Sequence, residues 1–279
     1  MTQAFRLLAA ATAAFAFAAA HAVALPSTAI LSDSPASVSR DRVVRIGVTP
    51  GTHAQVMDEV KRVAAARGLP LEIVVFEDPA RIDAALAAGR IDAASFENAS
   101  NLAHAIETQR YPLTNIAPTI TLPMAFYSRQ LRRMTELHHG ATVAIPADPQ
   151  GMARALVLLQ NYTLITFRDS AGLHASLRDI TSNRLHLKFI AVPQTRLYAA
   201  LDTSAFVAMD SADAQRAGLL PARDSVGIED ARSPYADVLA VRTADRTSPW
   251  VRELVASYHS EDVAHFILAH YQDSVRLPW

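Results

Sequence analysis

The stretch VVRIGVTPGTHAQVMDEVKRVAAARGLPLEIVVFEDPARIDAALAAGRIDAASF, Val43 to Phe96, decides the reading of the fold. Val43 to Val48 is a short apolar run with β-branched residues, the mark of a buried strand. Thr49-Pro50-Gly51 is a turn. From His53 to Arg67, Val56, Val60 and Val63 recur at helical spacing, and Gly68 stops the helix. Leu71 to Phe76 gives a second strand, Pro79 to Ala88 a second helix ended by Gly89, and Ile91 to Phe96 a third strand. Such an alternation packs helices on both faces of a largely parallel sheet. Ligands of these sheets bind at the carboxyl ends of the strands.

Outward from this stretch, Ala99 to Thr108 reads as a third helix. Ile116 to Tyr127 is extended and holds Pro118 and Pro123, which disfavour a central strand. It reads as a crossover to a second lobe. There Ala141 to Pro146 is a strand, and Asp148-Pro149 opens a helix running to about Tyr162, with an N-cap Asp and Pro at the first helical position. Leu187 to Val192, Gln194 to Leu201 and Ala205 to Met209 read as strand, helix and strand. Asp237 to Arg242 is a second extended run, followed by helices at Pro249 to Tyr258 and Glu261 to Tyr271. The fold class is therefore α/β with two lobes, 43–119 plus 238–279 and 122–237. Two crossover strands then lie at the base of an interlobe cleft.

The N-terminus reads as an export signal. Arg6 precedes an uncharged, Ala-rich run from Leu7 to Ala20, and small-x-small sites follow at Ala20-His21-Ala22 and Ala22-Val23-Ala24. Residues 1–24 are expected to be cleaved and 25–42 to form a mobile leader. The chain has no Cys, so disulfides, thiolate catalysis and lipid attachment through a Cys are not expected. A periplasmic, non-lipidated monomer is expected instead. With 26 basic against 27 acidic residues, the basic excess of a nucleic-acid binder is missing.

Ten histidines invite a metal reading. His138 and His139 are adjacent and point apart, His265 and His270 share a helix face poorly, and there is no HExxH, so neither metal nor cofactor is expected. There is also no GxSxG for nucleophilic catalysis.

Seven stretches carry a resemblance: IGVTPGTHAQVMDEV, LEIVVFED, GRIDAASFENAS, TLPMAFYSRQL, GATVAIPADPQGMARALVLLQ, QRAGLLPARDSVGIEDARSPYADVLAVR and YHSEDV. In combination they resemble the methionine-binding, NlpA-type family of ABC-transporter substrate-binding proteins, from about Val43 to the C-terminus. The resemblance implies two α/β lobes enclosing a small amino-acid-like ligand. It also implies no catalysis, and an ABC permease and ATPase as partners. It places Arg154 where the family arginine grips the ligand carboxylate, a role that suits a planar fork of donors near a helix N-terminus.

The departures from the family are informative. Asp210 and Asp237 stand where methionine-binding members have Asn. Asp keeps the acceptor oxygens, loses the amide donors and adds negative charge. This suggests a ligand more cationic than methionine; the alternative is that one Asp only balances Arg154. Phe96 is retained, but Glu97-Asn98 replaces Gln-His, and Asn101, Pro79 and Leu122 replace tyrosines. The pocket is expected to be more polar, with Asn98 and Asn101 in it and the hydroxyl of Thr121, or of Thr119, facing the ligand. A periplasmic lyase using Asp210 and Asp237 as acid and base, or a sensor receptor, are the alternatives on the same scaffold.

Overall fold

The computed structural model describes residues 42–279. The expected signal and the leader, apart from Arg42, lie outside the described residues. Arg42 is tied down: its Nη2 donates to Asp92 Oδ1 at 2.7 Å, and its guanidinium lies 5.4 Å over the ring of Trp250.

The chain begins with β1 (Val44–Val48), whose Val44, Ile46 and Val48 are fully buried. Gly51, at φ +83°, turns it into α1 (Thr52–Ala66). This helix buries Val56, Met57, Val60, Val63 and Ala64, the stripe that three- and four-residue spacing dictates. Next come β2 (Leu71–Val75), α2 (Ile82–Ala87), β3 (Ala93–Asn98), α3 (Ala99–Gln109) and β4 (Leu113–Pro118). The chain then crosses to β5 (Ala125–Tyr127), β6 (Thr142–Pro146), α4 (Pro149–Asn161) and the short hairpin β7 (Ile165–Phe167) and β8 (Ile180–Asn183). After β9 (Lys188–Val192) and β10 (Phe206–Met209) come α5 (Ser211–Arg216), the single turn α6 (Pro221–Asp224) and β11 (Ser225–Ile228). It returns as β12 (Asp237–Arg242) and ends in α7 (Pro249–Tyr258) and α8 (Glu261–Tyr271).

Two mixed five-stranded sheets result, in the orders β2-β1-β3-β12-β4 and β11-β5-β10-β6-β9. The first is parallel through β2, β1 and β3, and β12 enters antiparallel between β3 and β4. In the second, β10, β6 and β9 are parallel, and β5 pairs antiparallel with β10. Each sheet carries apolar clusters of its own. Among the described residues, no helix is long and apolar enough to cross a membrane.

Three local readings change. Ile116 to Tyr127 is not one crossover: Ile116 to Pro118 ends β4, and Ala125 begins β5. Between them, Thr119 and Ile120 still bond the backbone of Asp237 at the start of β12 before the chain crosses. Gln194 to Leu201 is two short 3-10 turns, Gln194–Arg196 and Tyr198–Asp202, rather than a helix. The strands β7, β8 and β11 have three or four residues each, too few for a period to register.

The crossing holds a third segment. Thr121 pairs with Arg276 of the C-terminal tail, N–H to carbonyl in both directions at 2.8 and 3.0 Å. The indole N–H of Trp279 donates to Thr119 O at 2.6 Å, and Arg276 Nη1 donates to Glu229 O at 2.8 Å. The tail thus laces the outgoing crossing to the segment that returns.

Candidate functional site

The carboxyl ends of β3 and β6 open onto a cavity of about 560 Å³. From the first sheet it is lined by Asn98, Asn101 and His104, and from the second by Asp148, Arg154, Asp210 and Asp213, among others. Tyr235, on the returning segment, closes one wall.

Local sequence explains how these groups are presented. Asn98 caps α3, its Oδ1 accepting from Ser100 N and Asn101 N at 3.0 Å. Asp148 caps α4, its Oδ1 accepting from Gly151 N at 2.7 Å. Gly151 has no room for a side chain: an added Cβ would stand 2.7 Å from Pro146 and from the Asp148 carboxylate. Asp210 caps α5 through Oδ1 and Asp213 N at 2.7 Å. Three helices therefore begin at the cavity with polar caps.

Arg154, in the second turn of α4, is held on one edge. Its Nε donates to both oxygens of Glu229 at 3.2 Å, and its Nη2 donates to Leu122 O at 2.8 Å and again to Glu229. Among the described residues, Nη1 makes no hydrogen bond. The Arg154 side chain is 15% exposed and that of Glu229 3%, so this is a buried ion pair. Burial alone would lower the guanidinium pKa, but the charge and hydrogen bonds of Glu229 outweigh it and raise that pKa above the usual value. The ring of Tyr235 lies 5.1 Å from Arg154 Cζ, in cation–π contact. Glu229 also accepts from Met124 N and Ser233 Oγ, at 3.0 and 2.8 Å. Its three partners come from both crossings and from α4.

The resemblance has Arg154 gripping the ligand carboxylate, with a balancing Asp, Asp210 or Asp237, as the alternative. Glu229 balances Arg154 instead. The pair is separated by 75 residues, and nothing local in the sequence signals it.

The other expected site residues divide. Asn98, Asn101, Arg154 and Asp210 line the cavity together. Asp237, Phe96 and Thr121 are not among its lining residues. Asp237 is buried, and its Oδ2 meets His53 Nε2 at 3.0 Å, while His53 Nδ1 meets Thr49 Oγ1 at 2.7 Å. The reason is register: Asp237 opens β12 opposite Asn98, and its backbone bonds Ile120 and Thr119 of the outgoing crossing. Thr121 is fully buried and donates its hydroxyl to Ala231 O at 2.7 Å. Phe96 packs against the cluster around Ile82, Leu86 and Leu102.

Behind Asn98 sits a second carboxyl site. Asp83 Oδ1 and Glu97 Oε1 are both buried, and neither has a hydrogen-bond partner among the described residues. Burial first, then the negative charge of Asp83, push Glu97 up to about 9, and Glu97 holds the proton. Burial also raises Asp83. On the opposite wall, burial and then the charge of Asp210 raise Asp213, which also pairs with Arg216. Among the described residues, no cluster of His, Asp and Glu is arranged to hold a metal ion.

Comparison with known proteins fits this geometry. The NlpA lipoprotein family matches residues 44–279. A probable D-methionine-binding lipoprotein MetQ of Vibrio cholerae is 32% identical over 257 residues, covering 92% of this chain and 96% of that protein. Lipoprotein 28 of Escherichia coli K12 is 35% identical over 238 residues, covering 84% and 88%. A nutrient-binding protein of Burkholderia cenocepacia, solved bound to methionine, superposes with a TM-score of 0.71 at 31% identity, over 85% of this chain and all of that one. A periplasmic substrate-binding protein of an ABC transporter from Coxiella burnetii gives 0.71 at 35% identity, over 84% and 100%. From its first strand to its last residue, then, the chain belongs to the NlpA lipoprotein family.

Proposed function

We propose that this protein captures a small, amino-acid-like ligand bearing a cationic group in the cleft and delivers it to the permease and ATPase of an ABC importer. It does so as a periplasmic monomer and without turnover. One observation carries the choice of ligand. The cavity presents the carboxylates of Asp148 and Asp210, neither in an ion pair among the described residues, while Glu229 already balances the one guanidinium and Arg216 pairs with Asp213. A cationic ligand offsets this surplus of negative charge; a neutral zwitterion offsets less of it.

In this reading Arg154 Nη1 donates to the ligand carboxylate. The Asp210 oxygen not engaged as a cap accepts from an ammonium group. Asn98 and Asn101 supply amide donors and acceptors at the first-sheet wall. Asp237, Phe96 and Thr121 shape that wall from behind. Relatives named as D-methionine-binding and a structure bound to methionine support the amino-acid class. The lyase alternative needs Asp210 and Asp237 facing one cavity, and only Asp210 lines it.

Thermal-shift screening against lysine, arginine, ornithine, methionine and dicarboxylates tests this. A ligand at 100 times its Kd adds about 2.7 kcal/mol of stability. Shifts with basic amino acids and none with methionine are expected. A methionine shift that exceeds every basic one sinks the cationic reading.

A further inference from the structure

The strands of the second sheet also define an end remote from the cleft. β6 ends at Pro146, on the cavity, and starts at Thr142, opposite Lys188 of β9. β5 runs antiparallel to β10, so Tyr127 leaves the sheet at that remote end too. The loops entering β6 and β9 and the loop leaving β5 therefore meet at one pole. Contacts join them: Gly140 N donates to Leu185 O at 2.7 Å, the rings of His139 and His186 are 4.7 Å apart, and Ser128 Oγ donates to Ala205 O at 2.6 Å.

The charge at this pole is one-sided. Arg129 pairs with Asp202 and Arg223 with Asp224. Arg132, Arg133, Arg184 and Lys188 are all exposed, and none is in an ion pair among the described residues. Glu136 is the one acid left on these loops, and its Oε2 accepts from Arg132 N. His138, His139 and His186 stand exposed beside them and add positive charge whenever protonated. The chain as a whole has a net charge of −1, so this surplus is local.

We infer that this pole docks on the surface of an anionic lipid bilayer. Adsorption to anionic headgroups needs clustered basic charge and little else. A protein partner would need apolar or aromatic anchors at the centre of its contact. None of the exposed large hydrophobic side chains of the described residues lies on the loops 128–141 or 184–187.

Vesicle co-sedimentation of the whole protein tests the inference, and it needs no ligand, so it stands or falls apart from the binding reading. The vesicles are phosphatidylcholine alone or an equal mixture with phosphatidylglycerol. The parent is expected to sediment with the mixed vesicles only, and to be released at about 1 M salt, where charges more than about 3 Å apart are screened. Each exposed Arg or Lys near such a surface is worth about five-fold in partitioning. The pair R132E/R184E should therefore lose at least about 25-fold, and R133E/K188E a similar amount, with unchanged melting. K61E, on α1 of the first sheet, should bind like the parent. Residues 1–41 are common to all variants and cancel. Equal sedimentation with both vesicle types, no sedimentation at all, or undiminished binding by both pole variants overturns the inference; an acidic protein partner would then be the occupant to seek.

Discussion

Glu229 and Glu97 are the same side chain in two opposite solutions to burial. Glu229, on the second-lobe side, is met by Arg154 with three hydrogen bonds, and Met124 and Ser233 donate to it as well. Glu97, at the end of β3, has a second acid for a neighbour and keeps its proton instead. The difference teaches that burial drives a carboxyl here toward its protonated form unless a counter-charge meets it. One site stores a full ion pair that can be broken. The other stores a proton that can be lost.

The largest effect should come from breaking the ion pair. Arg154→Ala leaves Glu229 buried without its counter-charge, and about 3–5 kcal/mol of folding stability should be lost at pH 7 in urea unfolding. The same variant should weaken a carboxylate-bearing ligand by about 1.5–3 kcal/mol, read by calorimetry. A stability loss under about 1 kcal/mol would mean that solvent already screens the pair. Next, the double variant Arg154→Met with Glu229→Leu should recover most of that loss, because replacing both charges removes the desolvation cost of each. A double variant no more stable than Arg154→Ala refutes the electrostatic account.

The proton site predicts a smaller, pH-dependent effect. In the folded chain Glu97 holds its proton up to about 9, against 4.5 for an ordinary glutamate. Between those values the folded state binds more protons than the unfolded, so stability falls as pH rises. The contribution is whole below the lower value and gone above the higher. Glu97→Gln keeps the shape and cannot ionise, so its urea midpoint should match the parent near pH 4 and exceed it near pH 9. Parallel curves for the two proteins across that range contradict the assignment. The smallest effect belongs to the helix that presents Arg154: Asp148→Ala removes the cap on Gly151 N and should cost about 1 kcal/mol in the same assay.

Much of the architecture was legible in the sequence. The strands and helices from Val44 to Gln109 are bounded by Gly and Pro and carry clean periods, and Asp148-Pro149 marks the start of α4 by capping chemistry alone. The strand β4 was hidden because LTNIAP mixes polar and apolar residues and runs into two prolines. The cavity was legible in part, since Asn98 and Arg154 sit at helix starts that the sequence announces and Asp210 follows a strand that it marks. Glu229 and the rotation of Asp237 onto His53 were not. Both depend on partners far along the chain, Arg154 at 75 residues and His53 at 184. His104, His174 and Gln194 also line the cavity, and no local pattern sets them apart from exposed polar residues.

The place of β12 has a consequence for the order in which the chain can fold. β4 pairs with no other strand, and β12 separates it from β3. β4 must therefore wait on the ribosome until residues 237–242 have been made, whereas β3 can pair with β1 earlier. The second sheet, by contrast, draws all its strands from one continuous stretch, Ala125 to Ile228. Its contacts close over shorter loops, and shorter loops close sooner. The half begun second is therefore equipped to consolidate first, while the half begun first lacks β12 until synthesis is nearly complete.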